Sequence, residues 1–221
     1  MNDVTTIVVA AGEGRRFGTL KQFALLKGKP ILDWCLEKFE AHVEVDEVIL
    51  VLPDLRQRQR YMNRYSKISA VVKGGEKRQD SVWEGFRRID PKKTEIVLIH
   101  DGVRPLVSPK TIHRVIEGAR KKQAVVPGLV LDETVKEVKE QAVVRTLERE
   151  RLVRIQTPQA FLYSLLKRSF QKAADEHYYG TDEASLVERL GEKVFILPGD
   201  PRNIKITSPL DLRVAEALLE D

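Results

Sequence analysis

Residues 5–23 read TTIVVAAGEGRRFGTLKQF, a short apolar run that ends in glycines, two adjacent arginines and then a lysine. The run is too rich in β-branched residues for a helix start and predicts a buried strand. Similar apolar runs recur at Thr6–Ala10, Val48–Leu52, Ile68–Val72, Ile96–His100 and Ala124–Val130. Between them lie PILDWCLEKFEAH, RQDSVWEGFRRI and SPKTIHRVIEGARKK, whose apolar residues return every three or four positions as helices require. Pro30 and Pro109 suit a first helical turn, and Ser108 is a ready N-cap. Strands of this kind alternating with helices predict an α/β fold whose mostly parallel sheet is covered on both faces. Ligands of such sheets sit beyond the carboxyl ends of the strands.

The chain has 221 residues with 38 basic against 33 acidic ones, a net charge of +5, and reads as one domain. The excess favours phosphorylated ligands, but the basic residues form no tail or stripe, which argues against a nucleic-acid partner. A single cysteine, Cys35, allows no internal disulfide and reads as a buried thiol. No apolar stretch approaches the ~20 residues of a membrane span, so a cytoplasmic protein without membrane contact is expected.

Residues 132–152, DETVKEVKEQAVVRTLERERL, break the pattern with two short alternating stretches either side of Glu140 and Gln141. Such a polar hairpin is marginal alone. It is expected to leave the core as an arm that packs on a second copy of the chain. Beyond it, a helix over Leu162–Ala174, strands at Val194–Leu197 and Asn203–Ile206 and a helix over Pro209–Leu219 are expected.

Gly12, Gly14 and Gly18 approximate a dinucleotide fingerprint, with Asp54 as a candidate ribose acid and Tyr163 with Lys167 at a dehydrogenase-like spacing. Against that, no helix follows the glycines directly to face a pyrophosphate. A phosphate loop also fails, for no Gly-Lys-Ser or Gly-Lys-Thr follows. What remains is backbone open to a ligand, with fixed charge on Arg16 and Lys21, or a solvated basic turn.

Two more loops carry chemistry. HDGVRP puts Asp101 at a strand end beside His100 and Arg104, suited to Mg²⁺ shared with substrate phosphates or to a structural Asp–Arg pair. In KGGEKRQDS, Gly74 and Gly75 let backbone approach a flat ligand and Ser81 offers a hydroxyl, or Asp80 and Ser81 simply cap a helix. Asp182 and Glu183 of TDEAS have only a capping role to suggest.

Taken in order, AAGEGRRFGTLKQF, GGEKRQDSV, HDGVRP, DETVK, TPQAF, TDEAS and NIKITSPLDL resemble the 2-C-methyl-D-erythritol 4-phosphate cytidylyltransferases. The resemblance implies a Rossmann-like nucleotidyltransferase fold with a protruding β-arm that forms a homodimer. It implies transfer of CMP from CTP to methylerythritol phosphate, with Mg²⁺. Carried over by motif, Ala10, Ala11 and Gly12 contact CTP through backbone, Gly75, Glu76 and Ser81 recognise cytosine, and Asp101 sits at the metal. Arg16 and Lys21 stabilise the transition state. Arg104, Thr134, Arg149, Thr157 and Lys205 hold the acceptor, Thr134 and Arg149 reaching from the other subunit. The spacer between Arg16 and Lys21 is shorter than the family pattern, and Glu76 replaces the more usual aspartate. A ribitol 5-phosphate cytidylyltransferase shares the loop motifs, and the arm discriminates. A non-catalytic nucleotide or nucleic-acid binder is the rival of another class.

Overall fold

The structure, a computed structural model, describes residues 3–12, 14, 17 and 20–220. The chain runs β1 (Val4–Val9), β2 (Leu25–Leu26), β3 (Lys29–Pro30), α1 (Ile31–Glu40), β4 (Glu47–Leu52), α2 (Arg58–Arg64), β5 (Ile68–Lys73), α3 (Arg78–Phe86), β6 (Ile96–Asp101), α4 (Pro109–Lys122) and β7 (Ala124–Val130). There follow β8 (Lys136–Lys139), β9 (Ala142–Thr146), β10 (Val153–Ile155), β11 (Gln159–Leu162), α5 (Tyr163–Asp175), α6 (Glu183–Arg189), β12 (Phe195–Pro198) and α7 (Pro209–Leu218). The main sheet is ordered β10-β7-β11-β6-β1-β4-β5, with β12 also beside β7.

Strands β6, β1, β4 and β5 are mutually parallel, as their continuous apolar runs predict. Alternate residues serve opposite faces. Leu50, Leu52, Ile96 and Leu98 join Leu32, Phe39, Ile112 and Ile116 of α1 and α4 in one core. Ile49, Val51, Val97 and Ile99 join Val82, Phe86, Leu166 and Val187 of α3, α5 and α6 in the other. Phe39 and Phe161 are fully buried, each contributing about 2–3 kcal/mol by removal from water. Cys35 lies in the first of these cores, and burial pushes its thiol well above the ordinary range.

Three expectations need correction. Pro30 is the residue before α1, not in its first turn, because β3 ends on it in the small β2–β3 ladder. Residues 203–206 form no strand: the backbone amides of Asn203 and Ile204 are spent on a local turn to Asp200 and Arg202, while that of Ile206 bonds outward, to Val103. The helix expected from Leu162 begins at Tyr163, because TPQAF leads into β11, which ends on Leu162 and inserts antiparallel between β6 and β7. Ser108 and Pro109 start α4 as expected, the serine hydroxyl accepting from the Thr111 amide.

The arm is the hairpin β8–β9, turned by Glu140 and Gln141, whose φ of 48° and 67° fit a two-residue turn of the hairpin type. It forms its own two-stranded sheet, off the main one. Val138, Val143 and Val144 are all more than half exposed, so little of the arm's apolar surface is covered by its own chain.

Candidate active site

Three parallel strands end on one side of the sheet, at Val9, Lys73 and Asp101, and the loops that leave them enclose a cavity of about 570 Å³. The first loop contributes Ala10, Ala11, Gly12 and Gly14, then Lys21 and Gln22 from a 3₁₀ turn over Lys21–Phe23. From the second come Gly75, Glu76, Lys77, Arg78 and Ser81. Asp101 and Val103 form the floor, and Lys205 enters from the loop before α7.

The glycines divide by use. At Gly12 a Cβ would meet nothing within 4 Å among the described residues, which leaves room on that side for a ligand. A Cβ at Gly74 would lie 2.3 Å from the Ala11 Cβ and 2.7 Å from the Ser81 hydroxyl. That glycine therefore serves close packing of the first two loops, not approach of a flat ligand. Ser81 is buried and donates to the Lys77 carbonyl at 3.1 Å, while Asp80 accepts from the Lys77 amide at 3.0 Å, so Asp80 caps α3 from its third residue.

Asp101 is the electrostatic centre. Its Oδ1 faces Arg78 Nε at 3.4 Å, and its Oδ2 faces Lys205 Nζ at 2.9 Å and Arg104 Nε at 3.4 Å. Burial opposes its charge, but the three cations outweigh burial and hold the carboxyl far below the usual range. Arg104 is itself buried and donates to the Asn203 carbonyl at 2.8 Å, which ties the Lys205 loop to the end of β6.

Thr157 stands behind this floor. Its hydroxyl lies 3.0 Å from His100 Nδ1 and accepts from the Asp101 amide at 3.1 Å. His100 Nε2 lies 3.2 Å from the Arg104 carbonyl and so donates, leaving Nδ1 to accept from Thr157. Burial lowers His100 to about 4, which keeps this arrangement neutral. The Thr157 hydroxyl is therefore committed to positioning the Asp101 backbone.

Of the remaining expectations, Arg16 and Gly18 lie outside the described residues. Thr134 and Arg149 do not line their own chain's cavity: both are exposed in the arm, where Arg149 donates to the Asp132 carbonyl at 2.7 Å. Asp54 pairs with Arg56 on an exposed loop, and the Tyr163 ring stacks on Phe86 at 4.9 Å, which removes both dehydrogenase coincidences. Asp182 caps α6 through the Ser185 amide at 3.0 Å. Glu183 is no cap. It is fully buried and binds Arg78 Nη1 at 2.9 and 2.7 Å.

Two residues escape a reading of the sequence. Arg78 looked like one charge among several in KGGEKRQDS. Gln22 is 1% exposed at the cavity wall, and its amide nitrogen has no hydrogen-bond partner among the described residues. Only the adjacency of Gln22 to Lys21 could have pointed to it.

An open glycine loop, a cation-ringed carboxylate and a lysine turn at the carboxyl ends of parallel strands define a nucleotidyltransferase. The model of the IspD family, 2-C-methyl-D-erythritol 4-phosphate cytidylyltransferase, matches residues 4–221. The protein of that name from Syntrophus aciditrophicus is 42% identical, covering 98% of this chain and 96% of its own. The crystal structure of the Anaerococcus prevotii 4-diphosphocytidyl-2C-methyl-D-erythritol synthase superposes with a TM-score of 0.87 at 32% identity, covering 99% of this chain and 96% of that one. The Thermus thermophilus 2-C-methyl-D-erythritol 4-phosphate cytidylyltransferase superposes at 0.83, also at 32% identity, covering 99% and 100%. The chain belongs to the 2-C-methyl-D-erythritol 4-phosphate cytidylyltransferase family, CTP-dependent enzymes of isoprenoid biosynthesis.

Proposed function

We propose that the cavity transfers CMP from CTP to 2-C-methyl-D-erythritol 4-phosphate, giving the CDP-alcohol and pyrophosphate, by positioning and electrostatics alone. The observation that carries this is the gathering of Arg78 and Lys205 on Asp101 in one cavity that Lys21 and the glycine loop also line. The acceptor's phosphate oxygen is already anionic, so no general base is required. The task is to bring two polyanions together and to spread the charge that builds on the α-phosphate.

In this reading the backbone at Ala10, Ala11 and Gly12 meets the triphosphate, and Gly75, Glu76 and Ser81 frame the cytosine. Lys21, with Arg16, opposes the charge of the transition state. Lys205 and Arg104 face the acceptor phosphate, and Thr157 acts behind them by holding Asp101.

Mg²⁺ fits Asp101 as one carboxylate shared with substrate phosphates. Among the described residues no three His, Cys, Asp or Glu side chains gather as ligands, so the protein offers no closed cage. A Mg²⁺ held by Asp101 together with the substrate would need none. When bound it would neutralise phosphate charge. Lys205, on a loop and 38% exposed in its side chain, is the cation free to turn from Asp101 to a phosphate.

The exposed valines of the arm support a homodimer in which Thr134 and Arg149 complete the partner's acceptor site. Among the described residues no helix is long and apolar enough to cross a membrane. A cytoplasmic enzyme working without nucleic-acid or membrane partners belongs to the same reading.

The test is pyrophosphate release from CTP with purified protein. Release is expected only with methylerythritol phosphate and Mg²⁺ both present. Equal release with ribitol 5-phosphate would overturn the acceptor, and release with neither acceptor would overturn the activity.

A further inference from the structure

Behind the cavity the amino ends of α3 and α6 are laced together. Gln79 Nε2 donates to the Tyr178 carbonyl at 3.1 Å and its Oε1 accepts from the Gly180 amide at 2.8 Å. Gln159 Nε2 donates to Asp182 Oδ2 at 2.6 Å, and its Oε1 accepts from the Ala184 amide at 3.3 Å. Between these clamps Glu183, with no solvent exposure, takes Arg78 Nη1 on both oxygens. Arg78 then has its Nε toward Asp101 and lines the cavity.

The charges form a chain: Glu183, Arg78, Asp101, then Arg104 and Lys205. Two carboxylates face three cations. Without Glu183, Asp101 would be the only carboxylate among the described residues paired with all three, and its oxygens would be least available to a divalent ion. With it, most of the Arg78 charge is met from behind, and Arg78 orients Asp101 without consuming it.

We propose that Glu183 is a positioning residue for the nucleotide's divalent cation: it neutralises and aims Arg78 so that the Asp101 carboxylate stays open to the metal. This rests on the reading of Asp101 as the Mg²⁺ carboxylate. The device resembles the outer-shell partners of other metal sites, whose removal typically lowers metal affinity roughly ten- to a hundredfold. A merely structural pair would join α3 to α6 and do nothing selective for the ion.

The two roles separate in equilibrium binding of CTP, which does not turn over without acceptor. Calorimetry with wild type should give tighter binding in Mg²⁺ than in EDTA. Glu183→Gln leaves an uncompensated positive charge at the cavity, so binding in EDTA should hold or strengthen, while the gain from Mg²⁺ should shrink roughly tenfold or more. Glu183→Asp keeps the charge but withdraws it by one methylene. It should show the same crossing at smaller size, and it replaces the glutamine variant should that one not fold. Equal weakening in Mg²⁺ and EDTA, or an unchanged Mg²⁺ gain, would overturn the proposal. A wild type with no Mg²⁺ gain would instead overturn the reading of Asp101 on which it stands.

Discussion

Lys205 Nζ lies 2.9 Å from Asp101 Oδ2, although the two residues are far apart in the sequence and meet at the cavity floor. Lys205 is carried by a loop anchored on one side by Arg104 on the Asn203 carbonyl and on the other by the Ile206 amide on the Val103 carbonyl. Replacing Lys205 by alanine removes a partly exposed cation that the core does not need. Turnover should fall roughly a hundred- to a thousandfold, on the scale of one lost transition-state donor, with the melting temperature close to wild type. Steady-state pyrophosphate release and a thermal melt check both halves; normal turnover would reject a role for Lys205.

Sharing of sites between subunits is tested by mixing. Lys21→Ala disables the cavity of its own chain, whereas Arg149→Ala disables what the arm offers its neighbour. Each homodimer should lose at least most of its activity, and mixed dimers should regain part of it in the one site that keeps both residues. Mixtures shown by mass spectrometry to exchange subunits, yet still inactive, would count against the shared site.

Gln22 predicts opposite changes in stability and activity. Its buried amide nitrogen lacks a partner among the described residues, so Gln22→Met should raise stability by about 1 kcal/mol and lower turnover at the same time. Urea unfolding and kinetics on one preparation decide the matter. A loss of stability would mean that the amide is satisfied in solution.

The cap of α7 is a pH-dependent anchor for the Lys205 loop. Asp211 Oδ2 accepts from the amides of Thr207 and Ser208, both at 2.8 Å. Partial burial pushes this carboxyl up, but the bonds from Thr207 and Ser208 outweigh it and leave the group below its ordinary range. A carboxyl with a lowered folded value binds fewer protons when folded. Its contribution is therefore complete above the unfolded value of ~3.9 and is lost as pH falls through the lower folded one. Asp211→Asn should cost about 1 kcal/mol at pH 7, and the gap to wild type should close below about pH 4 in urea titrations.

The parallel half of the sheet was legible because each strand is buried on both faces and so is spelled in continuous valine and isoleucine. The antiparallel half was not: TPQAF is too short and too polar at its start to announce β11, and its place between β6 and β7 follows from packing at long range. Among candidate site residues, Lys21 and Asp101 stand out by type and Lys205 by the motif resemblance, and the structure brings all three to one cavity. Arg78, Glu183 and Gln22 were not, since their meaning lies in burial and in partners more than a hundred residues away in the case of Arg78 and Glu183. Thr157 shows the converse, a motif residue whose hydroxyl the fold employs behind the cavity.

The arm leaves β7 after Val130 and returns at Val153, and these two residues face each other across the antiparallel ladder. An excursion that begins and ends on one rung is topologically a loop, whatever its length. It can be shortened, extended or rewritten without shifting the register of any strand that frames the cavity. The arm is thus a module separable from the strands that frame the cavity, free to diverge at its own rate.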